Sequence, residues 1–111
     1  MTIINQLFRL DEQQVFIDSV KVYGEANQLE QVQEELAELQ LAISKYKRTL
    51  RTQQEEERVN VARLDMEREV ADVIIMMTQM KLMFDNYTIQ DTISEKLERQ
   101  RKRIDARNQN L

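Results

Sequence analysis

Residues 29–50 read LEQVQEELAELQLAISKYKRTL, and this stretch decides the fold. Leu29, Val32, Leu36, Leu39, Ile43, Tyr46 and Leu50 alternate spacings of three and four without a miss. That is the seam of an amphipathic helix in an antiparallel bundle or coiled coil. Glu34, Glu35 and Glu38 interrupt the same run. Glu35 borders the seam and Glu38 lies farther round. Residues at i and i+3 of a helix are neighbours, with Cβ atoms about 5–6 Å apart, so Glu35 and Glu38 present two carboxylates beside the core.

The same logic extends along the chain. Upstream, Asp11 with Gln14 resembles a capping box, and Val15, Phe16, Ser19, Val20 and Tyr23 form one mixed apolar face. Gly24 is the only glycine, which predicts a break or bend there. Downstream, the charge-rich run 49–58 reads as a loop or a solvated helical extension. A third helix is expected from Val59 to Phe84, amphipathic first and apolar nearly all round from Val73. A helix of that kind is covered on several sides, and one short chain cannot cover it, so a dimer or tetramer is expected. Asp85 and Asn86 end it. Thr88 with Asp91 opens a fourth helix, with Ile89, Ile93, Leu97 and Ile104 as its stripe. The expected architecture is all-α: an antiparallel helical bundle, one domain over 1–111, with an N-terminal segment 1–10 and a frayed tail 108–111.

Bulk composition narrows the chemistry. No proline, one glycine and 32% charged residues in 111 suit long helices rather than a compact β-protein. There is no cysteine, hence no disulfide, thiol nucleophile or thiolate site. There is no histidine, which removes the usual general base and the favoured ligand of zinc and iron. The N-terminus lacks the basic and apolar regions of a signal peptide. The most apolar stretch, 70–84, is too short and too polar for a membrane span. A cytoplasmic protein is expected, and a net charge of −4 argues against nucleic acid as a partner.

Glu69 and Asp72 form a second acidic pair at i and i+3, set among Val70, Ala71, Val73 and Ile74. A carboxylate withdrawn from water is costly unless it is paired or bound to metal. Antiparallel helices can set the two pairs face to face. An all-oxygen anionic box suits a hard divalent cation, Mg²⁺ or Mn²⁺. Di-iron bundles also use helix-borne carboxylates, but they need Glu-x-x-His pairs.

These residues resemble a known family. Gly24-x-x-x-Gln28, then Gln33-Glu34-Glu35-Leu36-Ala37-Glu38-Leu39, then Glu67-Arg68-Glu69-Val70-Ala71-Asp72-Val73 are similar to the MazG-like all-α NTP pyrophosphatases, whose pattern is Glu-Glu-x-x-Glu, a spacer, then Glu-x-x-Asp. The likeness runs from about Tyr23 to Ile104. The spacer here is long for the pattern, and the histidine-containing segment of some larger relatives is missing. The resemblance implies an Mg²⁺-dependent enzyme, dimeric or tetrameric, that cleaves a nucleoside triphosphate into a monophosphate and pyrophosphate. By position it makes Glu35, Glu38, Glu69 and Asp72 the metal ligands. Glu34 becomes either a further metal ligand or a carboxylate just behind the ligands that can orient the attacking water, with Glu35 beside it in catalysis. Lys96 and Arg103 are the expected phosphate contacts, and Gln28 and Tyr23 complete the substrate-binding set. The rival reading is a non-enzymatic helical interaction protein whose acids solubilise a coiled coil. A third reading is a nucleotide-binding sensor.

Overall fold

The computed structural model describes residues 8–109, and all of its regular structure is helical. Helix α1 spans Leu10–Arg51, α2 spans Glu56–Met83 and α3 spans Asn86–Gln109. Residues 1–7 of the expected N-terminal segment and 110–111 of the expected tail lie outside the described residues. Residues 108 and 109 belong to α3 rather than to a frayed end.

Helix α1 is two helical arms joined at Gly24, whose φ of 81° and ψ of 164° are non-helical. That region of backbone space is essentially restricted to glycine. The break folds the first arm back: Gln28 Nε2 donates to the Ser19 carbonyl at 3.4 Å. In an unbroken helix residues nine apart stand about 13–14 Å apart. Phe16, 5% exposed, anchors the first arm, with Phe8 edge-on to it at 4.7 Å between ring centroids. The cap is not the expected Asp11–Gln14 box. Arg9 occupies the N-cap position, and its backbone N–H donates to Glu12 Oε1 at 2.9 Å.

The second arm of α1 lies antiparallel to α2, and this pair holds most of the described tertiary packing. The run 49–58 is neither a long loop nor one continuous helix. It is the end of α1, a turn at 52–55 and the start of α2. The turn is a Schellman motif: Gln54 N–H donates to Thr49 O at 3.1 Å and Gln53 N–H to Leu50 O at 3.4 Å. Gln53 takes the left-handed position usually held by glycine, with φ 50°.

The seam of α1 is rotated from the sequence expectation. The positions turned inward are Gln28, Val32, Glu35, Leu39, Ala42, Tyr46 and Thr49. Leu36, Ile43 and Leu50 remain 44%, 39% and 52% exposed. Two adjacent heptad faces share Val32, Leu39 and Tyr46, and α2 packs on the one that contains Glu35. Its own inward positions are Val59, Ala62, Met66, Glu69, Val73, Met76 and Met80. The rotation brings carboxylates to the interface and leaves a leucine–isoleucine stripe uncovered.

Helix α3 touches α2 near their connection and does not pack on α1. Its cap is Asp85: Oδ1 accepts from the backbone N–H groups of Tyr87 at 3.0 Å and Thr88 at 3.1 Å, and Oδ2 accepts from Thr88 Oγ1 at 3.0 Å. These bonds hold the Asp85 carboxyl below its ordinary pKa. The residue expected to end one helix therefore starts the next, about three positions before the Thr88 start. Among the described residues no helix is long and apolar enough to cross a membrane.

Candidate metal centre

Glu35 and Glu38 come from the middle of α1, and Glu69 and Asp72 from the middle of α2. The antiparallel register brings Glu35 level with Asp72 and Glu38 level with Glu69. One oxygen each from Glu35, Glu69 and Asp72 lie within 4.8 Å of one another. Glu38, one turn along from Glu35, adds a further negative charge beside Glu69. Three acids from two sequence-distant pairs thus converge, with Glu38 as a neighbouring charge.

Among the described residues none of the four takes part in an ion pair. Arg63 bonds Glu67 instead, at 3.4 Å. Gln31 Nε2 donates to Glu35 Oε1 at 2.8 Å, fixing that carboxylate's orientation. The second oxygen of Glu35 and Oε2 of Glu69 are shielded from solvent without any hydrogen-bond partner. Buried acceptors are normally satisfied, so this pair of bare oxygens is what a divalent cation fits. The donor set is all oxygen and anionic, which suits Mg²⁺ or Mn²⁺. Electrostatics agree. Desolvation first, then Asp72, Glu38 and Glu34, raise Glu35 above its ordinary pKa, although the Gln31 bond opposes them. Desolvation first, then Glu38, Asp72 and Glu35, raise Glu69. Asp72 is exposed overall, so the cluster lies at the rim of the helix pair and is open to a ligand.

The other expected residues divide. Glu34 is exposed and outside the group of converging oxygens; it acts on Glu35 as a neighbouring charge. Gln28 is 5% exposed and bridges the Gly24 break, with its Oε1 unpartnered. Tyr23 is 60% exposed beside the same break. Lys96 and Arg103 sit on the exposed part of α3. The chain does not bring them to the carboxylates, because α3 has no packing on α1.

Two features went unnoticed in the sequence. Gln79, 6% exposed, is buried on α2 with a bare Oε1, at the register level of Gln28. The second is a groove of about 890 Å³ that opens off the carboxylates at Glu38 and Glu69 and reaches the 52–55 turn. Lys45, Arg48, Arg58 and Arg68 line it. A signal existed: Glu38, Ala42, Lys45 and Thr49 follow one another at helical spacings of three and four. Only the register showed that α2 completes the other wall.

No protein-family model, curated protein or solved structure matches this chain. The likeness to the MazG-like enzymes therefore stands on the two acidic motifs.

Proposed function

We propose that the protein is an Mg²⁺-dependent nucleoside triphosphate pyrophosphohydrolase, MazG-like in motif and fold. The observation that carries this reading is the convergence of Glu35, Glu69 and Asp72 oxygens within 4.8 Å, with none of the three in an ion pair among the described residues. Those four residues hold the metal, with Mn²⁺ as an alternative. Bound there, the cation supplies neutralisation of phosphate oxygens and a more acidic water.

The reaction adds water across the α–β phosphoanhydride. A new P–O bond forms from the water oxygen, the bridging P–O bond breaks, and its electron pair leaves with one of the two phosphate products. The water's proton needs an acceptor. Glu34 is next in sequence to the metal-binding set yet outside it, so we assign it that role, with Glu35 holding the site's shape through Gln31. The absence of histidine and cysteine leaves carboxylates as the natural bases of the chain.

A homo-oligomer, dimer or tetramer, forms part of this reading. It is supported by the uncovered Leu36, Ile43 and Leu50 and by the exposed length of α3. In such an assembly Lys96 and Arg103 can approach a neighbour's site, although one chain keeps them away from its own. The same exposed stripe favours the rival reading of a helical interaction protein.

The deciding experiment incubates the purified chain with a panel of ribo- and deoxyribonucleoside triphosphates and Mg²⁺, and separates the products. Monophosphate plus pyrophosphate, abolished by EDTA and by Asp72→Asn, is the expected result. No turnover on any triphosphate, together with no stabilisation by Mg²⁺, would leave the interaction protein as the better reading.

A further inference from the structure

We propose that the groove between the carboxylates and the 52–55 turn seats the phosphate chain of the substrate, with Lys45, Arg48, Arg58 and Arg68 as its phosphate ligands. The proposal deepens the metal-site reading and rests on it.

The groove begins at the metal-binding acids themselves, since Glu38 and Glu69 form part of its wall. A phosphate bridged to a cation there has a continuous path toward the turn. Along that path the basic residues come from both helices: Lys45 and Arg48 from α1, Arg58 and Arg68 from α2. None of these four is ion-paired among the described residues. Arg9, Arg63, Arg101 and Lys102 are the basic residues that pair with nearby carboxylates among the described residues, and none of them lines the groove. The groove cations are therefore available to an incoming anion.

Glu55, Glu57 and Asp65 also line the groove, so it is not a uniformly positive surface. Selection comes from geometry rather than bulk charge. Ala42 and Ala62 also line the groove, and their small side chains leave it unobstructed between the two basic walls. Guanidinium groups bond phosphate through two parallel N–H donors, which makes arginines effective at fixed positions. From Glu38 to Arg48 the helix rises about 15 Å. That length accommodates successive phosphates rather than one.

The arrangement also sets direction. Phosphates leaving the metal toward the arginines put the nucleoside on the other side, toward the Gly24 break. The groove thus holds the pyrophosphate portion, and free pyrophosphate should compete with the triphosphate.

The test uses inorganic tripolyphosphate as the probe, titrated calorimetrically into the full chain with Mg²⁺. Mn²⁺ affinity is measured separately without phosphate. The Arg48→Gln/Arg58→Gln double variant should bind tripolyphosphate at least roughly tenfold more weakly. The Arg48→Lys/Arg58→Lys double variant should recover part of that loss. Arg101→Gln on α3 should bind as the parent does, and Mn²⁺ affinity should be the same throughout. Undetectable tripolyphosphate binding by the parent would overturn the proposal. So would equal binding by the double glutamine variant. A chain that turns over no triphosphate yet binds tripolyphosphate through Arg48 and Arg58 would keep the groove and remove the hydrolase reading, so the two can fail separately.

Discussion

Glu35 and Glu69 are held above their ordinary pKa of 4.5 by desolvation and by each other's neighbours. The folded chain therefore retains protons there that the unfolded chain releases. Without metal this works against the fold, and the loss grows as pH rises from about 4.5 through the folded values. With Mg²⁺ the sign reverses, because ligation needs ionised carboxylates. Thermal melts between pH 4.5 and 8 should show the metal-free parent losing stability relative to Glu69→Gln as pH rises. Saturating Mg²⁺ should restore the parent and leave Glu69→Gln unmoved. Parallel curves for the two proteins in EDTA would mean that the carboxylates are not coupled as described. Asp85 behaves oppositely. Its carboxyl sits below its ordinary 3.8 because it accepts three hydrogen bonds at the start of α3. That contribution is complete above about pH 4 and disappears as pH falls through the lowered value. Asp85→Ala should reduce the helical signal of α3 and lower Tm by a few degrees at pH 7, and the difference should shrink in acid.

At the scale of the elements, two backbone positions carry opposite expectations. Gly24 uses a conformation that other residues adopt only under strain, although a Cβ there would meet nothing within 4 Å. Gly24→Ala should thus cost about 1–3 kcal/mol through the backbone alone. Gln53 occupies a left-handed cap position where glycine is preferred. Gln53→Gly relieves a left-handed penalty of about 1–2 kcal/mol, offset in part by glycine's larger chain entropy, and should raise stability in denaturant titrations. The same positions explain what could be read from the sequence. The lone glycine announced a break, unbroken three-four spacing announced the second arm of α1, and the amphipathic-then-apolar run from Val59 announced α2. The α1–α2 turn gave no such signal, because Gln53 is not a turn-forming residue type. Register was ambiguous for a stronger reason. Val32, Leu39 and Tyr46 serve two faces equally, and apolar content favoured the face with Leu36 and Ile43. The pairing with α2, which no local pattern encodes, selected the face with Glu35. The acidic spacing made the four carboxylates legible, and Lys45 and Arg48 stand out in the sequence as basic residues one to three turns after the first acidic motif. The groove that joins them to Arg58 and Arg68 depended on that register and was not legible.

At the scale of the whole molecule, the chain is extended for its size. Its radius of gyration is 17.8 Å, against about 13 Å for a compact domain of this length. The excess has identifiable sources: α3 projects from the helix pair with Ile93, Leu97 and Ile104 exposed, and α1 shows Leu36, Ile43 and Leu50 along one line. Fully burying each such side chain contributes roughly 1.5–3 kcal/mol, enough in combination to drive association. A second copy is the simplest partner, because each chain offers two stripes of helical spacing. The parent should therefore sediment as a dimer or tetramer at micromolar concentration. Ile43→Lys, at the centre of the α1 stripe, should shift it toward monomer while leaving helicity largely intact, since the residue does not face α2. Turnover measured on that variant then carries a second message. Activity lost with dissociation, while Mn²⁺ affinity persists, would mean that a neighbour completes the site, as the remote placement of Lys96 and Arg103 leads one to expect. Activity retained in the monomer would confine the reaction to the α1–α2 pair and its groove.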